Sequence, residues 1–144
     1  MIKEEEIDVL HETRRNTRMA VEAIETIIDK VYDEELAYDL NCQASTYREI
    51  ERKVNQAMAK EGIKPREDSK VGKAMLWSSI QVNTLLNTST AHVADMLILG
   101  NTRGITELMK ATHNNKVKGS YANELANELM DFEEKNIEKL KTYL

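Results

Sequence analysis

The sequence predicts an all-α protein in which long amphipathic helices form a bundle. Apolar residues recur at spacings of three and four over long stretches, which places them on one face of a helix. Five glycines and one proline are few for 144 residues, so long stretches lack the residues that interrupt helices. The length suits a single domain, and we expect residues 1–144 to form one helical bundle.

Two long helices are predicted before residue 62, over 3–32 and 34–61, with Asp33 as the N-cap of the second and Gly62 ending it. The predicted inward face of the first helix consists of Ile7, Leu10, Val21, Ile24, Ile28 and Val31, together with the polar residues Arg14 and Thr17. That of the second consists of Leu36, Leu40, Gln43, Tyr47, Ile50, Val54 and Ala57.

The segment from Ile63 to Asp68, which contains the only proline, is predicted to be a loop, and Ser69 can cap the helix that follows. One interpretation runs this helix over 70–99 and breaks it at Gly100. The other ends it near Asn87 and starts a separate helix over 90–114.

Three consecutive hydroxyl residues, Thr88, Ser89 and Thr90, favour the second interpretation, because they suit a helix cap better than a helix interior. Thr88 or Ser89 would then be the N-cap. Gly100 and Gly104 would lie four apart on one helix face, where they would allow close backbone approach.

The last predicted helix covers 121–143, after a polar turn from Asn114 to Gly119 and an N-cap at Ser120. Its inward face is predicted to be Leu125, Leu129, Phe132, Asn136, Leu140 and Tyr143. Helices of about 24 to 30 residues are roughly 36–45 Å long and pack side by side. A connection of about 18 residues spans roughly 27 Å, so two neighbouring core helices can run parallel.

The layout resembles the ferritin-like superfamily of four-helix bundles, and more narrowly its small, functionally uncharacterised bacterial members that lack the di-iron ligands. The resemblance rests on the segments EEIDVLHETRRNTRMAVEAIETI, KAMLWSSIQVNTLL, HVADMLILGNTRGITELM and LANELMDFEEKNIEKLK. It implies an up-down four-helix bundle with an additional connecting helix, and a bacterial stress or sporulation setting.

Enzymes of that superfamily bind two metals with a Glu on each of two helices and Glu-x-x-His on each of the other two. This sequence contains no Glu-x-x-His, and in the pair formed by Glu128 and Asp131 an Asp replaces the His. We therefore predict no catalytic residue, no cofactor and no metal ligand. The alternative is an atypical di-metal carboxylate oxidoreductase or metal-binding protein that would use Glu22, Glu25, Glu128 and Asp131, together with His92.

His92 and Asp95 lie three apart and share a helix face, but two donors on one helix make a weak metal site, so we interpret them as surface or capping residues. Cys42 is the only cysteine, which excludes an internal disulfide, and it is predicted to be a small buried apolar residue. Trp77, with Met75, Leu76 and Ile80, is expected to pack the connecting helix onto the bundle or to form a partner surface.

Polar residues interrupt the predicted inward faces at Arg14, Thr17, Gln43, Ser78 and Asn136. They either line an internal polar cavity, or Arg14 extends outward while Thr17 bonds its own helix backbone. A small-molecule carrier with its cavity around Arg14 and Gln43 is a third functional hypothesis, and it requires a pocket in the fold.

The net charge of −5, with both signs interspersed, argues against nucleic acid as a partner. No stretch approaches the roughly 20 apolar residues that span a bilayer, and the first residues lack a signal core. We therefore expect a cytoplasmic protein with no membrane association. The leading hypothesis is a non-catalytic bundle that forms a homo-oligomer or binds another protein.

Overall fold

The computed structural model describes residues 2–67, 70–85, 87–113 and 115–144, and within these ranges every regular element is helical. The α-helices are α1 (Glu4–Ile27), α2 (Glu34–Lys60), α3 (Lys70–Thr84), α4 (Thr90–Thr112) and α5 (Tyr121–Lys141). Short 3-10 turns follow α1 at Ile28–Lys30 and α4 at Asn115–Val117. The predicted all-α class is confirmed.

The predicted helix boundaries are largely confirmed by capping hydrogen bonds. The Asp33 carboxylate accepts from the Leu36 amide at 2.9 Å, and the Ser120 hydroxyl accepts from the Asn123 amide at 3.1 Å. Gly62 has φ +69°, the left-handed conformation that ends α2. α1 ends earlier than residue 32, because the chain tightens into a 3-10 turn at Ile28–Lys30 and then becomes extended. The predicted cap at Ser69 lies outside the described residues.

The two interpretations of the 70–114 segment are now distinguished. α3 ends at Thr84, and Ser89 caps α4 by accepting from the His92 amide at 3.3 Å. α4 then continues through Gly100 without interruption, so the interpretation with a break at Gly100 is wrong. In the predicted polar turn, Gly119 has φ +80°, while Asn114 lies outside the described residues.

Polar contacts between the helices fix their relative directions. Along α1 and α2, Arg14 contacts Asn55, Arg18 contacts Glu51 and Glu25 contacts Arg48, so these two helices are antiparallel.

The same reasoning applies to α5 and α4. Lys53 contacts Glu128 and Tyr47 contacts Asn136, which makes α2 and α5 antiparallel. Along α1 and α4, the Asn16 amide donates to the Gly104 carbonyl and Lys3 reaches Lys116 beyond the end of α4, which makes that pair antiparallel as well. It follows that α2 runs parallel to α4, and α1 runs parallel to α5.

Apolar side chains from α1, α2, α4 and α5 form one continuous core. The inward face predicted for α2 is buried except for the partly exposed Ala57. On α1 the prediction was wrong by one position in places: the fully buried residue is Thr13 rather than Arg14, and the buried set is Val9, Leu10, Thr13, Thr17, Ile24 and Ile27.

α3 contributes least to the core. It contacts mainly α1, and the described side chains that it buries are Ile80 and Thr84, with Leu76 partly buried. Met75 and Trp77 remain 67% and 57% exposed. The expectation that these two side chains pack the connecting helix onto the bundle is therefore wrong, because both residues are more than half exposed.

The start of α4 can be tested with a pair of substitutions. We expect Ser89→Ala to lower the free energy of unfolding by about 1 kcal/mol, because the His92 amide loses its capping acceptor. Thr88→Ala is the matched control, since the Thr88 side chain makes no hydrogen bond within the described ranges. Urea unfolding followed by circular dichroism measures both. Equal losses in the two variants would contradict the assignment of the cap.

Candidate functional site

Five buried or partly buried polar residues meet in the interior of the bundle, near the middle of the long helices. α1, α2, α4 and α5 each contribute one or two of them. We call them the polar layer: Asn16, Tyr47, Asn101, Glu133 and Asn136. The Tyr47 hydroxyl donates to Asn101 Oδ1 at 2.8 Å and accepts from Asn136 Nδ2 at 3.2 Å. Asn101 Nδ2 in turn donates to the Leu97 carbonyl at 2.8 Å. These bonds give the phenol and each of the two amides a hydrogen-bond partner inside the bundle.

Glu133 is the chemically unusual member of the polar layer. Its side chain is 1% exposed, and Oε1 has no hydrogen-bond partner among the residues that the structure describes. Burial raises the pKa of this carboxyl to about 8, so the group is protonated at neutral pH. The pKa of Tyr47 is also raised, first by burial and then by the neighbouring Glu133, which keeps the phenol neutral.

Gly104 provides the space in which Glu133 and Asn16 approach α4. A Cβ atom at this position would lie 2.5 Å from Glu133 Oε2 and 2.9 Å from Asn16 Oδ1. Asn16 Nδ2 also donates to the Gly104 carbonyl at 3.0 Å. The predicted close approach at Gly104 is therefore confirmed, whereas Gly100 has no atom within 4 Å of such a Cβ and is not a packing residue.

The five polar residues that interrupt the predicted inward faces differ in their positions in the structure. Thr17 is buried and donates to the Arg14 carbonyl at 2.7 Å, while the Arg14 side chain extends outward, as the second of the two interpretations predicted. Gln43 is buried on α2, and Ser78 is exposed on α3. Asn136 alone of this set belongs to the polar layer.

Glu133 and Asn101 were not predicted as site residues. Glu133 lies four residues after Leu129 and three before Asn136, so it fits the inward face of α5 as well as Phe132 does. Periodicity alone does not separate the two positions, and apolarity favours Phe132 as the inward residue. It is only partly buried, with its ring edge-to-face against Tyr47 at 4.9 Å. A carboxylate at a core spacing was the signal that could have identified the site.

The residues of the di-metal alternative do not come together. Three of its carboxylates pair with cations in separate places: Glu22 with Lys73 at 3.6 Å, Glu25 with Arg48 at 3.0 Å and Glu128 with Lys53 at 2.8 Å. Asp131 and Asp95 are exposed, and His92 Nε2 lies 2.7 Å from the Asn83 carbonyl. Within the described ranges, no three side chains of His, Cys, Asp or Glu are grouped as metal ligands.

Cys42 is exposed, so the prediction of a small buried residue is wrong. It precedes the buried Gln43 by one position, and a step of one residue along a helix turns the side chain by about 100°. The Cys42 side chain, one helical turn after Tyr38, raises the pKa of the Tyr38 phenol.

The chain matches no protein-family model, and no curated protein or solved structure is significantly similar to it. Among the described residues, no helix combines the length and the apolar composition that crossing a bilayer requires. The inference about function therefore rests on the geometry of this molecule. Its polar layer is a set of neutral hydrogen-bonding groups around one protonated carboxyl.

The close approach at Gly104 predicts opposite effects for two glycine substitutions on one helix. We expect Gly104→Ala to destabilise the protein by about 1–3 kcal/mol, because the new methyl group would overlap Glu133 Oε2. Gly100→Ala should stabilise it by about 0.5–1 kcal/mol, since alanine is the better helix former and the site is open. Urea unfolding of both variants checks the signs, and the same sign for both would contradict the packing.

Glu133 makes the stability of the protein depend on pH. Its folded pKa is about 8 against an ordinary value of 4.5, so its stabilising contribution is complete below pH 4.5 and is lost as pH rises through about 8. The loss is on the order of 4 kcal/mol between pH 5 and 9. Glu133→Gln preserves the shape of the side chain and removes its titration. The stability of the variant relative to the parent should therefore increase by about 4 kcal/mol as pH rises from 5 to 9. Measured free energies of unfolding that depend on pH in the same way in the parent and the variant would refute the assignment of this titration to Glu133.

Proposed function

We propose that this protein is a non-catalytic, ferritin-like helical bundle that acts by self-association through the outer face of α3. The supporting observation is a set of large apolar side chains that are exposed to water: Met75, Val82 and Leu85 are 67%, 73% and 78% exposed. They lie within or directly after one helix, which otherwise buries little. An apolar surface of this kind is a binding surface or an aggregation liability.

The outer face of α3 is an open, almost flat surface. Its lining residues are small or apolar around a few polar groups: Lys70, Ala74, Met75, Ser78, Ser79, Val82 and Asn83. Small side chains at 74, 78 and 79 let another helix approach closely, and Met75 adapts readily to a partner surface. α1 covers the inner side of α3. The apolar outer side would be removed from water only by contact with another molecule.

The charges on α3 favour a second copy of the chain as the occupant. The helix carries Lys70 at its N-terminus on the outer face and has no acidic residue, while its second lysine, Lys73, pairs with Glu22 of α1. If two copies of α3 pair antiparallel about a twofold axis, each Lys70 approaches the C-terminal carbonyls of the other helix, where positive charge is favourable. A twofold dimer also closes on itself, and it is the commonest form of homo-oligomer.

The ferritin-like part of the proposal is supported by the directions of the helices. α1 and α2 are antiparallel, α3 follows as a separate connecting helix, and α4 runs parallel to α2. The non-catalytic part is supported by the separate ion pairs of Glu22, Glu25 and Glu128. The bacterial stress or sporulation setting implied by the resemblance belongs to the same proposal.

Self-association can be tested with a charged double variant. We expect the parent protein to dimerise with a dissociation constant in the micromolar range, and Met75→Glu/Val82→Glu to weaken dimerisation by about tenfold or more, because two carboxylates would lose water in the interface. Sedimentation equilibrium over a range of protein concentrations measures both constants.

The matched control is Leu99→Glu/Met109→Glu, which places the same charges at two exposed apolar positions of α4. It should dimerise as the parent does. A parent that is monomeric at all concentrations, or equal weakening in the two double variants, would overturn the proposed surface. Elemental analysis of the same preparations tests the non-catalytic part, because one or more tightly bound metal ions per chain would overturn it.

A further inference from the structure

A cleft of about 230 Å³ lies between α1, the segment after α2 and the inner side of α3. The side chains that line it come from α1, from Arg66 and Glu67, and from α3, and two of them, Met19 and Leu76, are apolar. The charged and titratable ones are His11, Glu12, Arg14, Arg15, Arg18, Glu22, Arg66, Glu67 and Lys73. The volume is smaller than that of a site for a drug-sized molecule, and it suits a ligand of a few carbon atoms.

Most of the cations around the cleft have carboxylate partners. Arg15 pairs with Glu12 at 3.2 Å, and Arg18 pairs with Glu51 at 3.1 Å. Similarly, Lys73 pairs with Glu22, and Arg66 with Asp8. These pairs neutralise charge at the rim of the cleft, so they do not by themselves attract an anion.

Arg14 differs from the other cations because both of its hydrogen-bond acceptors are uncharged. Nε donates to Asn55 Oδ1 at 3.1 Å, and Nη1 donates to the Arg66 carbonyl at 3.2 Å. Among the described residues no carboxylate pairs with this partly buried guanidinium, and Nη2 makes no hydrogen bond. The two neutral acceptors hold the guanidinium plane in place and leave Nη2 available to an anion.

His11 lies one helical turn before Arg14 and lines the same cleft. Burial lowers the pKa of this imidazole, and the nearby Arg66 and Arg14 lower it further, while Asp8 acts in the opposite direction. The ring is therefore neutral at pH 7, with one N–H to donate.

We propose that this cleft binds a small monocarboxylate, with the carboxylate on Arg14 Nη2 and His11 and the alkyl chain against Leu76 and Met19. One carboxylate oxygen would accept a charge-assisted hydrogen bond from Arg14 Nη2, and the other would accept from the N–H of His11. Glu67 also lines the cleft and pairs with no cation among the described residues, so its negative charge disfavours a dianion such as phosphate. The site does not depend on the self-association of α3.

Calorimetric titration at pH 7 and constant ionic strength tests the site with acetate, hexanoate and inorganic phosphate. The parent should bind hexanoate more tightly than acetate, because longer chains bury more apolar surface, and phosphate least. Arg14→Gln should weaken hexanoate binding roughly tenfold or more. Arg103→Gln, the same change at a position 85% exposed on α4, should leave the affinity unchanged.

Leu76→Ala provides a second test if Arg14→Gln does not fold, as judged by circular dichroism. It should abolish the preference for hexanoate over acetate while leaving acetate binding in place. The proposal is overturned if the parent gives no saturable response, or if phosphate binds more tightly than hexanoate. It is also overturned if a folded Arg14→Gln keeps the parent's affinity, or if Leu76→Ala keeps the parent's preference for hexanoate.

Discussion

The burial of polar groups between the four long helices is the constraint on which the rest of the structure depends. A phenol or an amide that leaves water without a hydrogen-bond partner costs free energy, so the helices must bring complementary groups to the same height. Tyr47 from α2 meets Asn101 from α4 and Asn136 from α5 in this way. A shift of any one helix along its axis would separate them. Apolar packing alone tolerates such shifts far better, so the polar layer selects one register.

The same constraint explains why α4 carries a glycine inside a helix, where glycine is unfavourable. Without a side chain at 104, the Glu133 carboxyl and the Asn16 amide both reach the α4 backbone. The cost of the glycine, about 1 kcal/mol, is offset by contacts that a larger residue would prevent. Glu133 itself remains incompletely satisfied at Oε1, and keeping its proton avoids the larger cost of a buried charge.

Periodicity predicted most of the fold because the helices are long and amphipathic. On α2, seven positions repeat at intervals of three and four, which left one choice for the inward face. On α1, Arg14 was preferred over Thr13, since both fit the spacing and only the tertiary structure shows that the arginine leaves the core. Chain positions that suit a cap, such as Asp33, Ser89 and Ser120, were identified because the chemistry of a cap is local.

The candidate site was less accessible to prediction, because hydrophobicity treats Glu133 as a surface residue and Phe132 as a core residue. Glu133 can be buried because Gly104 leaves space for its carboxyl and because neighbouring helices bring amides close to it. These features belong to other helices, so the sequence of α5 alone does not reveal them. The exposure of Met75 and Trp77 could not be predicted from the sequence for the same reason, because only the tertiary structure shows which sides of α3 contact other helices.

The weak attachment of α3 has a kinetic consequence for the molecule. Few of the side chains described on α3 are buried, and the helix contacts mainly α1. Local unfolding of α3 therefore costs much less free energy than unfolding of the four long helices. α3 is therefore the segment whose backbone amides exchange with solvent first after the frayed chain ends. Each such opening removes one wall of the cleft around Arg14, so a ligand held there would slow the exchange of α3 selectively.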